Sequence, residues 1–194
     1  MPEHLRLIFK TSDPYKTFTR FAAQHGLELV DEVRKGDSSP LAYQRILANI
    51  DNTVNVQYIE DGRAQLRYLQ LAGPKADRYA KVFKDKFSFF SEEELFSSWD
   101  TATSSVDDRI DAIVRIGIAS YDQPPESYMS RIRQALGDSE PAVRDAGVVA
   151  FSYNPWQPMK SHIEELRDHD PDPDVQARAR LLLDAWQQRD SGMI

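Results

Sequence analysis

Asp138-Ser139-Glu140-Pro141-Ala142-Val143-Arg144 recurs 32 residues further on as Asp170-Pro171-Asp172-Pro173-Asp174-Val175-Gln176, and Ser120-Tyr121 recurs at the same interval as Ser152-Tyr153. A looser copy sets Asp111-Ala112 against Asp145-Ala146 at an offset of 34. A fixed period of about 20–50 residues marks units that bury their apolar faces only by stacking on one another. Each unit reads as two helices. The spacing predicts first helices over 106–121, 141–153 and 173–189, and second helices over 126–136 and 158–167. Their apolar residues keep the helical period: Tyr128, Met129, Ile132, Ala135 and Leu136 in one, Met159, Ile163 and Leu166 in another, Val175, Ala179, Leu182 and Trp186 in the last. Acidic residues ahead of each first helix, with proline in its first turn, suit a helix N-terminus, which carries partial positive charge. Ala146, Gly147 and Ala150 are small enough to let neighbouring helices approach closely.

The Asp/Pro-rich turn, the Val-Arg pair and the small residues after it resemble HEAT repeats, including the bacterial HEAT-like variety. The likeness is strongest over 138–150, good over 170–183 and loose over 107–119, about 90 residues in all. It implies an α-solenoid in which Arg144 pairs with an acidic residue in a ladder along the stack. Gln176 departs from that pattern, so the ladder is expected to end there. Two and a half units are close to the minimum of about three that a stack needs, and an open end needs a cap. Ser91-Glu92-Glu93-Glu94-Leu95-Phe96-Ser97-Ser98-Trp99 fits that role, with a Ser91/Glu94 capping box and the apolar mass of Leu95, Phe96 and Trp99.

Upstream, strand and helix signals alternate. Leu5, Leu7 and Phe9 share a face at period two, and Tyr15, Phe18, Phe21 and Ala22 form a helical stripe behind Pro14. Residues 27–33 return as a strand, which Gly36-Asp37-Ser38-Ser39-Pro40 breaks. Strands near 43–48, 54–59 and 64–71 follow, turning at Asp51-Asn52 and Asp61-Gly62, although 43–50 also suits a short helix. A helix from Pro74 completes the order β-α-β-β-β-β-α. The expected fold is therefore an α+β domain, an antiparallel sheet with helices on one face, over residues 1–100, followed by an all-α HEAT-like α-solenoid over 101–194. The small polar residues from Asp100 to Ser105 mark the boundary.

Composition narrows the function. The 194 residues are 41% apolar and 10% aromatic, enough to bury a core. Residues 1–100 hold 14 basic and 15 acidic side chains, whereas 101–194 hold 10 and 16. A phosphate track draws its affinity from clustered Lys and Arg, so nucleic acid is not the expected partner. No apolar run reaches the roughly 18 residues of a membrane span, and the N-terminus lacks a secretory pattern, which makes the cytoplasm the expected compartment. With no cysteine there is no thiolate nucleophile, disulfide or Cys-ligated metal. Of the four histidines, His4 and His25 stand apart; His162 with Glu165, followed by His169, is the one grouping that hints at metal or acid–base chemistry. The acidic stretch from Asp168 to Asp174 lacks the glycine and terminal glutamate of a calcium loop. No metal or other cofactor is expected.

What remains is a surface. In the arrangement that the resemblance implies, second helices line a concave wall and expose Arg131, Arg133 and Gln134 beside Lys160, His162, Glu164 and Glu165, with Tyr121, Tyr153 and Trp156 on its rim. The expected function is non-enzymatic recognition of another protein, one form being an immunity- or antitoxin-like inhibitor that masks a basic surface. The resemblance implies two alternatives: a HEAT-like lyase or other enzyme with a polar pocket at the domain junction, and a nucleic-acid-binding HEAT-like protein, which the charge balance opposes. Reversing the charges of Arg131 and Arg133 together is expected to abolish partner capture and leave the melting temperature unchanged.

Overall fold

Alternating apolar residues build a five-stranded antiparallel sheet in the first half of the chain. The structure, a computed structural model, describes residues 4–33, 42–102, 105–121 and 124–190; the break expected at 36–40 and Thr103-Ser104 of the expected boundary lie outside them. Strands β1 (His4–Ile8), β2 (Leu27–Val33), β3 (Ala42–Asn49), β4 (Asn55–Asp61) and β5 (Leu66–Ala72) pair in the order β1-β5-β4-β3-β2. Helix α1 (Tyr15–Gln24) carries the chain from one edge of the sheet to the other, and α2 (Ala76–Lys86) follows β5. On the covered face, Leu7, Leu47, Val56, Tyr58, Leu69 and Leu71 pack with Phe18 and Ala22 of α1 and Ala80 and Phe83 of α2. Residues 43–49 are strand rather than helix, because Arg45 and Leu47 lie in register with Tyr58 and Val56 of β4. Strand β5 starts at Leu66 and not at 64, since the Asp61 carboxylate accepts the N–H groups of Arg63 and Ala64, both at 2.9 Å, and winds a turn there.

One end of this face is polar. Arg45 donates from Nη1 to the Tyr15 hydroxyl at 2.8 Å, the two phenol oxygens of Tyr15 and Tyr43 lie 3.0 Å apart, and the Tyr43 hydroxyl donates to Glu32 at 2.5 Å. The chain closes with Arg45 Nε 3.4 Å from the same carboxylate. Burial, then the hydrogen bond to Glu32, holds the Tyr43 phenol well above its usual range. The network fastens α1 and the edge strand β2 to β3. Along β2 the register on β3 slips between Leu29 and Asp31, a bulge that leaves residues 28–31 exposed.

Among the described residues after the sheet the regular elements are helices, so the fold is α+β, a sheet followed by helices. The two compact units separate after Ser91 and not near residue 100. The reason is α3 (Glu92–Thr101), which buries Leu95 and Trp99 among its successors, α4 (Val106–Ala119) and α5 (Glu126–Leu136). Helix α6 (Pro141–Ser152) packs against α4, α5 and α8 (Pro173–Asp190), while α7 (Lys160–His169) packs against α5 and α8. Pro158 sits in a short 3₁₀ turn, Gln157–Met159, so α7 begins later than its periodicity suggests. In α8 it is Leu183, not Leu182, that joins Val175, Ala179 and Trp186 in the core.

Helix α6 is buried nearly all round, and small residues make this possible. A Cβ at Gly117 of α4 would collide with the backbone of Ala150, and one at Gly147 would press on Leu136 of α5 at 3.1 Å.

Polar rungs tie the same helices together. Arg144 forms a bidentate pair with Asp170, at 2.7 and 2.8 Å, and also donates to the carbonyls of Asp138 and Ser139. Arg109 pairs with Asp138. Arg109, Arg144 and Gln176 are each the fourth residue of their helix, α4, α6 and α8. Gln176 donates to the Asp170 carbonyl at 2.7 Å, the contact that Arg144 makes to Asp138 one turn earlier in the series. Asp138 and Asp170 each accept the N–H two residues on, at 2.9 and 2.8 Å.

The hydrogen bonds from Arg144 hold the Asp170 carboxyl below its ordinary value despite its burial. A depressed folded-state pKa contributes stability that is complete above the unfolded value of about 3.9 and is lost as pH falls through the folded one. Asp170→Asn leaves Arg144 buried without its counter-charge and should cost about 3–5 kcal/mol in denaturant unfolding at pH 7. The gap between variant and parent should begin to narrow below about pH 4 and go on narrowing as pH falls through the depressed pKa of Asp170. Gly117→Ala should cost about 1–3 kcal/mol at every pH, by forcing α4 away from α6.

Candidate protein-docking site

The side chains expected to form one docking wall are dispersed by helix geometry. Residues two apart on a helix point about 200° away from each other, so Arg131 and Arg133 of α5 cannot share a face. Arg131 and Gln134 turn toward α3. The Arg131 guanidinium grips Asp100 through Nε and Nη2, at 3.1 and 2.5 Å, and lies 4.1 Å above the Phe96 ring. Gln134 accepts the indole N–H of Trp99 at 3.1 Å. Beside them Phe96 meets Tyr128 edge-on at 4.9 Å, and the Tyr128 hydroxyl donates to Glu92 at 3.1 Å. Burial and the Glu92 charge raise the Tyr128 phenol well beyond its usual range. Of the α5 residues expected to receive a partner, Arg131 is thus engaged by α3, while Gln134 remains exposed with its amide oxygen bound to Trp99.

Trp156 is likewise a core residue. It is only 4% exposed, stands edge-on to Phe151 at 6.3 Å, and donates its indole N–H to the Tyr121 carbonyl at 3.2 Å. Tyr153 and Tyr121 are half-buried. On the other side of α5, Arg133 is exposed, paired with Glu126 at 3.0 Å, and reaches the Met159 sulfur at 3.8 Å. Helix α7 keeps Glu165 exposed; His162 is half-buried, with its Nδ1 enclosed and unbonded. Lys160 sits 4.0 Å from Glu164 and 5.6 Å over the Trp186 ring. Arg133, Lys160, His162 and Glu165 therefore remain on the solvent side. Among the described residues no three His, Cys, Asp or Glu side chains gather as a metal site requires, His162, Glu165 and His169 included.

A concavity that the sequence reading did not single out lies elsewhere in this unit. A groove of about 600 Å³ runs between the N-terminal halves of α6 and α8. Pro141, Ala142, Ala177 and Leu181 give it apolar walls. Asp145 and Arg178 pair within it, and Asp172 and Asp174 stand at the end where α8 begins. Asp172 caps that helix, accepting the N–H of Asp174 at 2.9 Å. Leu181 is 69% exposed, the largest value for a bulky apolar side chain described in this unit. The repeat period carried a signal for this groove, since residues about one period apart, such as Asp145 and Arg178, fall on neighbouring helices.

Comparison with protein-family models, curated proteins and solved structures finds no match to this chain. Among the described residues no helix is long and apolar enough to cross a membrane.

The geometry separates the two arginines experimentally. Arg131→Ala should lower unfolding free energy by about 1–2 kcal/mol, through loss of the Asp100 pair and the stacking on Phe96. Arg133→Ala should change it by no more than about 0.5 kcal/mol, because its pair is solvent-exposed. Chemical denaturation of the two variants against the parent checks both values.

Proposed function

We propose that the helical unit is a short HEAT-like stack whose task is to hold another protein, with no chemistry of its own. The single observation that carries this reading is the repeated rung. Asp138 and Asp170 each accept the N–H two residues on, each offer their carbonyl to the fourth residue of the next helix, and each receive an arginine from the helix one unit back. Such equivalence at the repeat period is what a serial stack of like units needs. Helix α3 serves as the end cap, since its aromatic side chains cover Tyr128 and Arg131 and its Trp99 indole holds the exposed Gln134. Stacks of this kind present extended, rigid surfaces, and here the composition is acidic: residues 101–194 hold 16 acidic against 10 basic side chains. A partner with a basic face is the one that charge favours, and an inhibitor that masks such a face is a natural form of the function.

The test is affinity capture of the full chain from its native cell, followed by titration calorimetry with the purified candidate. A one-to-one complex whose affinity falls as salt rises supports the proposal. Arg133→Glu with Lys160→Glu reports whether the α5–α7 side takes part, because both positions are peripheral to the fold. Failure to reconstitute any complex from purified components removes the proposal.

A further inference from the structure

We infer that the groove between α6 and α8 is the docking site for a basic segment of a partner protein that carries an apolar anchor residue; this rests on the protein-binding reading above and names its place and chemistry. The groove has the two components that such a segment recognises. Its walls are apolar, with Ala142 on one side and Leu181 on the other, and Leu181 directs 69% of its surface to solvent. A volume of about 600 Å³ lies in the usual range for a pocket that admits a few side chains.

Its charge is one-sided. Arg178 is the one basic residue of the lining and is already paired with Asp145, so it contributes no net positive charge. Asp172 and Asp174 form no ion pair among the described residues, and Asp172 has one carboxylate oxygen engaged by the backbone of α8. The exposed Asp174 carboxylate, with Asp172 beside it in part neutralised by the start of α8 and by Arg144, leaves the lining acidic next to an exposed leucine, which fits a lysine or arginine next to a leucine, isoleucine or methionine on the incoming chain. An acidic segment is repelled, and a purely basic one leaves the apolar walls uncovered. The net charge of −7 on the chain steers the same class of partner over longer distances.

The probe is the synthetic peptide Lys-Lys-Leu-Lys-Lys-Leu-Lys-Lys, titrated into the ¹⁵N-labelled full chain and followed by amide chemical shifts. An all-lysine peptide and a Glu-for-Lys version are the controls. Saturable shifts centred on Ala142, Ala177 and Leu181 are expected, weaker by at least tenfold for either control. Leu181→Glu, at an exposed position, should weaken binding at least tenfold with unaltered thermal unfolding; Asp174→Asn should also weaken it, with a small drop in melting temperature because Asp174 lies in the first turn of α8. Equal binding of the all-lysine peptide, shifts spread over the acidic surface, or indifference to Leu181→Glu overturns the inference. The two readings fail separately. A cellular partner reconstituted equally well with parent and Leu181→Glu keeps the binding function and rejects the groove, whereas groove-centred peptide binding without any cellular partner does the reverse.

Discussion

Two arginine–aspartate pairs, Arg109 with Asp138 and Arg144 with Asp170, fix how far apart and in what register the helices of the second unit lie. Burying a guanidinium and a carboxylate costs desolvation energy that is regained only when geometry is good and the remaining polar atoms are satisfied. Arg144 meets that condition by donating to two carbonyls in addition to the carboxylate, and Asp170 by accepting a backbone N–H as well. A shift of one helix along another would leave these groups unpaired. Apolar packing at α6 favours contact of many kinds, but the rungs admit one. The close approach at Gly117 and Gly147 then follows, because helices held at that spacing leave no room for a Cβ.

The covering of α5 by α3 is the second organising contact. It converts Arg131, which composition alone marks as an interface anchor, into an internal clamp between Asp100 and Phe96. With that face occupied, the α6–α8 groove and the solvent side of α7 are left open, both outside the clamp. The acidic excess of this half is thus only partly structural: Asp138, Asp170 and Asp172 are engaged by turns, caps and rungs, while Asp174 faces water.

Much of the fold was legible in local patterns. The order β-α-β-β-β-β-α and the helices over 106–190 came from periods of two and 3.6, which depend on neighbours in sequence. The pairing of Arg144 with an acidic residue, and the departure of Gln176 from it, came from the resemblance that the repeated heptapeptide carries, whereas the hydrogen bond of Gln176 to the Asp170 carbonyl did not. Arg109 was not legible, because the offset of 34 sets Ile110 against Arg144, and the true equivalence rests on position within the helix. Arg131 and Arg133 were grouped although their spacing already placed them on opposite sides. Trp156 read as rim because it lies between helices, and only tertiary packing against Phe151 buries it. The Tyr15–Tyr43–Glu32 network was hidden for the same reason: its members are 11 to 28 residues apart and meet through strand pairing and a helix crossing.

The slipped register of β2 has a consequence for the chain in concentrated solution. An edge strand with exposed Leu29 and Val30 is a template on which a second copy can add by hydrogen bonding, the first step toward aggregates. The bulge interrupts the regular spacing of donors and acceptors along that template. Glu28 and Glu32 bring like charges together in an antiparallel self-pairing centred on Val30, where Glu28 would face Glu32 of the other molecule and Asp31 would face Leu29. The irregularity therefore acts as a guard, keeping the open side of the sheet from polymerising while it carries two bare apolar side chains.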